Sequence, residues 1–394
     1  MSNLGDGMYL AALPLLAAGL TSDPLAVAVV TVAGWLPWPL LALPAGAVVD
    51  RLDRRRLIWA VDGARALVVG GLTAAVVAGR ASIPLLAVAG FLVGAGQTLV
   101  ENAAQSMVVA VVGRDPGRLE RANGRLTATL TVGQQLVGPP AGSAAYAVAG
   151  WLPFLVDAGS FGASAALVAS IRGRFRPEGG PGPAAGRGLR AEIAEGVRFL
   201  LGHRLLRAMV VLVGVSNLAF MAGEAILVLF ARDELGLGSR GYGLLLAAVA
   251  VGGVPGSLLA ARLARRVPPG RLIVGGVLAG AVTMAAFGLA TDPWLAGVAH
   301  AATGAVWGVW NVVMLSLRQA IVPDRLMGRV VGAIRLVGFG TIPVGALLGG
   351  VVGRALGLRA PFLLGAAVLA AGALAAAPVI TTAAVTAARD TRVG

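Results

Sequence analysis

The stretch PAGAVVDRLDRRRL, residues 44–57, carries a long apolar run into a cluster of arginines. A related stretch, PGSLLAARLARR, follows at residues 255–266. Five residues of the first stretch recur 211 positions later in the same order: Pro44, Arg51, Leu52, Arg54 and Arg55. The tripeptide at residues 2–4 likewise recurs at residues 216–218. The chain therefore contains an internal repeat with a period of about half its length.

The composition indicates that the repeated segments lie in a membrane. Hydrophobic residues make up 57% of the 394 residues, 58 more are glycine, and 13% are charged. A soluble domain has about 45–50% apolar residues even when its glycines are included. The sequence therefore predicts an integral membrane protein.

The residue types that are scarce or missing exclude several classes of function. The basic residues are all arginine, so a P-loop lysine for ATP and a Schiff-base lysine are excluded. The absence of cysteine excludes disulfides and iron–sulfur clusters, and two histidines are too few for most zinc sites. We therefore expect no enzyme activity, no metal, no cofactor and no ATP.

The apolar runs divide into twelve segments of membrane-spanning length. A span needs about 20 apolar residues to cross roughly 30 Å of hydrocarbon. Breaks at arginine, aspartate and Pro/Gly clusters give approximate limits of 4–20, 25–49, 57–79, 83–108, 123–147, 151–171, 205–231, 241–263, 271–290, 293–317, 327–351 and 359–380. The prediction is an all-α integral membrane protein with twelve transmembrane helices in two six-helix pseudo-symmetric bundles.

The arginines predict the orientation of these segments. Loops on one side, with the helix ends flanking them, carry 26 of the 32 arginines, and the opposite side carries five. Basic residues in short loops are retained in the cytoplasm, so both termini are expected there, with the protein in the cell membrane. Because the arginines are spread over every inner loop, the positive net charge does not indicate nucleic-acid binding.

The longest polar break separates the two halves. We expect bundles at residues 1–172 and 205–380, a cytoplasmic linker with an amphipathic surface helix at 173–204, and a cytoplasmic tail at 381–394. Halves of equal topology predict a pseudo-twofold axis along the membrane normal, with a site between them at mid-depth. Asn3 is the third residue, whereas its repeat copy Asn217 lies about twelve residues into a span, so about ten residues of the first helix are expected to be missing.

Several motifs resemble the major facilitator superfamily. PAGAVVDRLDRRRL is similar to the loop signature of that family between its second and third helices, through Gly46, Asp50, Arg51, Arg54 and Arg55. GPPAG, containing Gly138, Pro139 and Gly142, resembles an exporter motif on the fifth helix. SNLGDGM, RANGRL, PFLVDAGSF and SLRQAIVPDRLMGRV are similar to the branch with macrolide-efflux and enterobactin-exporter-like proteins. The resemblance implies a secondary transporter that exports drug-like or siderophore-like molecules.

The arginine-rich loop is a candidate inner gate. Acids and cations at a helix end can exchange partners as two halves rock, and Asp50 and Arg54 are the expected gate pair. The alternative is that these arginines only anchor the topology.

Charged residues within the spans are the candidates for proton coupling, because burying them in hydrocarbon is costly. Asp62 and Arg65 share one helix face and are expected to form a self-neutralising ion pair, with a proton site as the alternative. The proton-coupling candidates are Asp6, Glu101 and Glu224. The alternative for each is a hydrogen-bonded acid with a purely structural role. Asp157 is expected to reach the membrane interface.

The polar and aromatic residues of the expected cavity are few: Gln97, Asn217, Phe220, Trp307, Trp310 and Asn311. Such a pocket suits a hydrophobic or amphipathic ligand. The leading hypothesis is an exporter driven by proton antiport, with the substrate, protons and the lipid bilayer as its partners. The alternatives are a non-transporting scaffold or sensor with the same fold, and a facilitator or importer.

Overall fold

The computed structural model describes residues 2–41, 45, 49, 52–112, 115–171, 198–322 and 324–390. Every regular element within these ranges is a helix. Nine of the described helices are long and apolar enough to cross a membrane, judged by length and composition.

The helices of the first half of the chain correspond to the first six predicted segments, of which the second is described only in part. Their bounds are α1 Ser2–Leu20, α2 Pro24–Trp35, α3 Arg54–Val77, α4 Ile83–Val112, α5 Pro116–Leu130, α6 Gly138–Val148 and α7 Leu152–Ser170. Helix α2 continues past a turn to Leu41. Helices α5 and α6 together form the fifth segment.

The helices of the second half cover the other six segments and part of the tail. Their bounds are α8 Arg204–Glu224, α9 Ser239–Arg266, α10 Pro269–Leu289, α11 Pro293–Ile321, α12 Asp324–Leu356, α13 Ala360–Ala376 and α14 Thr382–Asp390. Helix α13 has 17 residues and is the shortest of those that correspond to predicted segments in this half.

Aspartates start four of the helices. Asp23, Asp53, Asp115 and Asp292 each accept a hydrogen bond from a backbone N–H in the first turn. This hydrogen bond satisfies one of the backbone N–H groups that have no partner within the helix at its start. Proline follows three of these caps as the first helical residue, where its missing N–H costs nothing.

The fifth segment is not the uninterrupted helix expected over 123–147. A π-helical turn at Thr131–Val137 separates α5 from α6. Pro139 and Pro140 cause this change, because they have no N–H to donate to the preceding turn. Hydropathy does not detect the widened turn, because it measures the composition of a segment and not its hydrogen-bond geometry.

The seventh segment is also interrupted. Helix α8 ends at Glu224, a short turn covers Leu227–Leu229, and a π-helical turn follows at Phe230–Glu234. Ile226, with φ −114° and ψ 6°, is where the backbone leaves the helical path.

The described residues form two compact units. The first contains residues 2–171 together with 231–247, and the second contains 198–230 and 248–390. In the first unit α3 packs against α4 and α7, and α1 packs against α6 and α7. In the second unit α8 packs against α12 and α13, and α10 packs against α11 and α13. The first unit thus differs from the expected N-terminal half by including 231–247.

Glycines bring α1 and α6 into backbone contact. A Cβ atom on Gly138 would lie 2.6 Å from the Cα of Gly7, and one on Gly142 would lie 2.5 Å from the Cα of Met8. Small residues permit such close approach between membrane helices. The residues of the exporter-like motif therefore have a packing role against α1.

We predict that Gly142→Ala lowers the stability of the protein, because the added methyl group meets the α1 backbone. The expected loss is about 1–3 kcal/mol, typical of overpacking. Thermal unfolding of the purified protein in detergent measures it. Gly162→Ala on α7 is the control, because nothing lies within 4 Å of a Cβ at that position. Equal melting temperatures for the two variants would contradict the packing role.

Candidate functional site

Arg65 on α3 is the centre of a buried group of charges. Its side chain is only 3% exposed. Its Nη2 atom lies 2.7 Å from Oδ1 of Asp6 on α1, and its Nη1 atom lies 3.6 Å from Oδ1 of Asp62 on α3. The expected partners Asp62 and Arg65 are thus close, but the shorter contact of Arg65 is with one of the proton-coupling candidates.

Hydroxyl groups and an aromatic ring complete the surroundings of these charges. The Ser164 hydroxyl donates to Oδ2 of Asp62 over 2.7 Å, and the Ser2 hydroxyl donates to Oδ2 of Asp6 over 3.3 Å. The guanidinium carbon of Arg65 lies 3.8 Å from the ring centroid of Phe161. The ring thereby adds a cation–π contact on one face of the guanidinium.

Asp157 on α7 does not reach the interface as expected, because it is fully buried. The Ser160 hydroxyl donates to its backbone oxygen over 2.9 Å and lies 3.4 Å from its Oδ1. The physical reason is Gly5 on α1: a Cβ there would lie 2.5 Å from Oδ1 of Asp157, so only glycine leaves room for the carboxyl.

The sequence did contain a signal for the burial of Asp157, namely a stripe of polar residues along one face of α7. Asp157, Ser160 and Ser164 recur at helical spacing in an otherwise apolar helix, so they share one face. Asp157 interacts electrostatically with both Asp6 and Arg65. We call Asp6, Asp62, Arg65 and Asp157 the Arg65 cluster.

The Arg65 cluster contains more acid than base. Three carboxylates and one guanidinium would carry a net charge of −2 if all were ionised. Burying uncompensated charge costs several kcal/mol per ion, even after relaxation. Oδ2 of Asp157 accepts no hydrogen bond from the described residues, which adds to this imbalance. The arrangement therefore favours binding of protons.

The described part of the candidate inner gate shows a capping role. Arg55 at the start of α3 donates from Nε to the Val168 carbonyl over 3.2 Å and from Nη2 to the Ala169 carbonyl. These carbonyls lie in the last turn of α7, where the regular hydrogen bonds of the helix run out. Arg54 beside it is half-buried. Gly46, Asp50 and Arg51 lie outside the described residues, so the pairing of Asp50 with Arg54 stays a prediction.

Two of the predicted residues on α4 contact each other. Gln97 donates from Nε2 to Oε1 of Glu101 over 2.8 Å. They are four residues apart, one turn along the same helix face. The expected cavity residue Gln97 is therefore a hydrogen-bond partner of the expected proton-coupling residue Glu101.

Glu224, the third candidate, lies beside a histidine in the second unit. Its Oε1 atom is 3.4 Å from Nε2 of His300 on α11. The imidazole lies 4.7 Å from the Phe287 ring, which also packs against Phe230 and Phe362. This pair could not be predicted from the sequence, because a lone histidine in an apolar helix looks the same as a packed core residue.

Three of the expected cavity residues come together in the second unit. The ring centroids of Phe220 and Trp307 are 6.0 Å apart, and those of Trp307 and Trp310 are 5.3 Å apart. The two tryptophans border a cavity of only about 10 Å³, which has room for about one water molecule. Asn217 donates to the Gly338 carbonyl of α12 over 3.0 Å, and Asn311 is exposed.

Arg232, in the π-helical turn after α8, caps α1 within the first unit. Its Nη1 atom donates to the Ala18 carbonyl over 2.5 Å, and its Nη2 atom donates to the Ser22 hydroxyl over 3.2 Å. Asp233 lies 2.6 Å from its Nε atom, and this hydrogen-bonded charge raises the pKa of Arg232. From the sequence, Arg232 was only one of five arginines on the expected outer side.

Comparison with known proteins identifies the family. The family model described as "Transmembrane secretion effector" matches residues 1–390. The chain belongs to this family of major facilitator superfamily transporters. It is similar to the multidrug efflux pump Tap of Mycobacterium tuberculosis, with 30% identity over 92% of this chain and 87% of the relative. It is also similar to the enterobactin exporter EntS of Escherichia coli, with 26% identity over 73% of this chain and 67% of the relative.

Solved structures confirm the predicted all-α transporter fold. The nucleoside transporter NupG matches with a TM-score of 0.72 at 11% identity, covering 96% of both chains. A bacterial homologue of the human lysosomal transporter Spinster matches with a TM-score of 0.68 at 16% identity, covering 99% of this chain and 94% of the other. The predicted resemblance to the superfamily is also confirmed, and the protein is a multi-pass membrane transporter related to efflux pumps.

We predict that Arg65→Met strongly destabilises the protein at neutral pH, because it leaves buried carboxylates without their cation. The expected loss is about 3–5 kcal/mol, typical of breaking a buried ion pair. The double variant Asp6→Asn/Arg65→Met should recover part of this loss, since it removes one of the unpaired charges. Thermal unfolding in detergent measures both effects.

Arg80→Met is the matched control for this prediction, because Arg80 is exposed in the loop after α3. Its expected effect is within about 0.5 kcal/mol. An Arg65→Met variant as stable as Arg80→Met would show that the Arg65 cluster does not need its cation.

Proposed function

We propose that the protein exports small hydrophobic or amphipathic molecules from the cell and that protons moving inward drive the export. The observation that carries this proposal is the Arg65 cluster, in which three buried acids share one arginine. The arginine-rich loops support a place in the cell membrane with both termini in the cytoplasm.

Relatives and aromatic residues support the substrate class. Tap is a multidrug efflux pump and EntS an enterobactin exporter, so both relatives move small molecules outward. In the second unit, Phe220, Trp307 and Trp310 offer rings and little polar surface. Ligand sites of that composition favour apolar compounds.

Proton binding at the Arg65 cluster would change a link between helices. Asp62 is on the same helix as Arg65, so their contact does not depend on the position of α1. The contact between Asp6 and Arg65 joins α1 to α3 and requires a carboxylate on Asp6. Protonation of Asp6 would weaken this link and leave Arg65 with Asp62, and release of the proton would restore the link.

Helix α1 is well placed to transmit this change. Its backbone contacts α6 at Gly7 and Met8, next to Asp6 in the sequence. Its far end is capped by Arg232 through the Ala18 carbonyl. A change at Asp6 would therefore act on a helix whose opposite end is held by a separate polar contact.

We predict that Asp6→Asn uncouples export from the proton gradient. The asparagine side chain has a similar size but cannot bind and release a proton. Transport is measured in proteoliposomes with an imposed pH gradient. The substrates are a panel of lipophilic fluorescent dyes. Wild-type transport should collapse when a proton ionophore is added, whereas Asp6→Asn should retain only slow transport that the ionophore does not change.

Asp292→Asn is the control, because it replaces an exposed helix cap by a residue that caps equally well. Glu101→Gln tests the remaining candidate on α4. Wild-type export that survives the ionophore would exclude proton drive, and normal gradient dependence in Asp6→Asn would exclude the proposed site. Dye transport in the importing direction would favour an importer, and no wild-type transport of any dye would favour a scaffold or sensor.

A further inference from the structure

A groove runs between α8 and α13 in the second unit. Its volume is about 410 Å³. Its walls are mostly small or aliphatic side chains, including those of Ala208, Val211, Val215 and Ala376, and two arginines, Arg204 and Arg207, lie at one end. None of these residues belongs to the Arg65 cluster or to the aromatic group around Trp307.

The groove has a basic end and a narrow apolar end. At the narrow end, a Cβ atom on Gly372 would lie 3.3 Å from Cγ1 of Val215 and 3.8 Å from Cδ1 of Leu212, so the two helices nearly touch. Arg204 lies eleven residues before Val215, which is about 16 Å along a helix. That length is about half of the roughly 30 Å hydrocarbon thickness, or one leaflet of a bilayer.

The groove is open along its length. Val211, midway between its ends, is 58% exposed. Arg204 and Arg207 are also exposed, and they lie three residues apart on one face of α8. The Nη1 atom of Arg207 donates to the Leu201 carbonyl over 3.2 Å, which uses one of its five N–H groups.

We propose that this groove binds an anionic phospholipid from the leaflet on the arginine side. The headgroup phosphate would contact Arg204 and Arg207, whose guanidinium groups suit phosphate oxygens. One acyl chain would lie along Ala208, Val211 and Ala376 toward Gly372. The lipid would thereby bridge α8 and α13.

The two arginines and the length of the apolar walls together identify the molecule that the groove binds. A soluble phosphate would need the arginines but not the apolar walls, and a neutral lipid would need the walls but not the arginines. An anionic phospholipid uses both ends of the groove. Arginines at a membrane surface also attract anionic lipids generally, so the test must separate specific binding in the groove from this general attraction.

Photo-crosslinking at Val211 tests the proposal directly. The chain contains no cysteine, so Val211→Cys gives a single attachment point for a small thiol-reactive alkyl diazirine. The labelled full-length protein is placed in vesicles of phosphatidylcholine with or without phosphatidylglycerol and illuminated. Mass spectrometry then identifies the adduct. We expect a phosphatidylglycerol adduct that far exceeds its share of the lipid.

Two further variants separate the groove from general attraction. Arg204→Gln/Arg207→Gln, in the Val211→Cys background, should reduce the phosphatidylglycerol adduct about tenfold or more relative to phosphatidylcholine. Arg265→Gln/Arg266→Gln removes the same charge from exposed positions at the end of α9 and should leave the adduct unchanged. Ala376→Phe fills the groove while keeping both arginines and should also reduce the adduct.

Thermal unfolding checks that each variant is folded. The proposal would be overturned by an adduct that follows the bulk lipid composition. It would also be overturned if Arg204→Gln/Arg207→Gln and Arg265→Gln/Arg266→Gln reduced the phosphatidylglycerol adduct equally. It would also be overturned if the label reacted mainly with another segment of the chain or with a second copy, or if soluble glycerol phosphate prevented the lipid adduct in the labelled Val211→Cys protein with all its arginines present.

Discussion

The constraint on which the first unit depends is the burial of one guanidinium among three carboxylates. Arg65 is nearly inaccessible to solvent, and its nearest acid comes from a different helix. In a region of low dielectric, neither the arginine nor the acids can be left without compensation. An ion pair, serine hydroxyls and an aromatic ring compensate these buried charges in part. One arginine nevertheless cannot balance three acids. Proton exchange is the remaining means of neutralising the group, and this makes a structural cluster a proposed coupling site.

The packing around the cluster follows from the same constraint. Asp6 reaches Arg65 only because α1 approaches its neighbours closely, and glycines at positions 5 and 7 on either side of Asp6 permit that approach. Gly96 on α4 leaves room for the aliphatic part of Arg65, since a Cβ there would lie 2.7 Å from the Cδ of the arginine. In the motif at the start of the chain, Gly5 is therefore explained by the space that Asp157 requires, and Gly7 by the close backbone of residues 134 and 138.

The sequence was sufficient for features that depend on local spacing. The apolar segments and the shared face of Asp62 and Arg65 could be predicted, because they follow from helix length and the 3.6-residue period. Contacts between distant segments could not. Asp6 and Arg65 are 59 residues apart, and no periodicity relates them. Asp157 was placed wrongly because its position near a helix end suggested exposure, whereas Gly5 on another helix decides its burial. The π-helical turn at Thr131–Val137 was missed because hydropathy averages over it.

Infrared spectroscopy of the purified protein at neutral pH tests the central claim most directly, because the carbonyl stretch of a protonated carboxylic acid is separate from carboxylate bands. The account predicts a protonated-acid band in the wild-type protein that shifts in heavy water. This band should lose intensity in both Asp6→Asn and Asp157→Asn, since each variant lowers the negative charge that must be neutralised. A wild-type spectrum with carboxylate bands alone, or a protonated-acid band that neither substitution changes, would contradict the account.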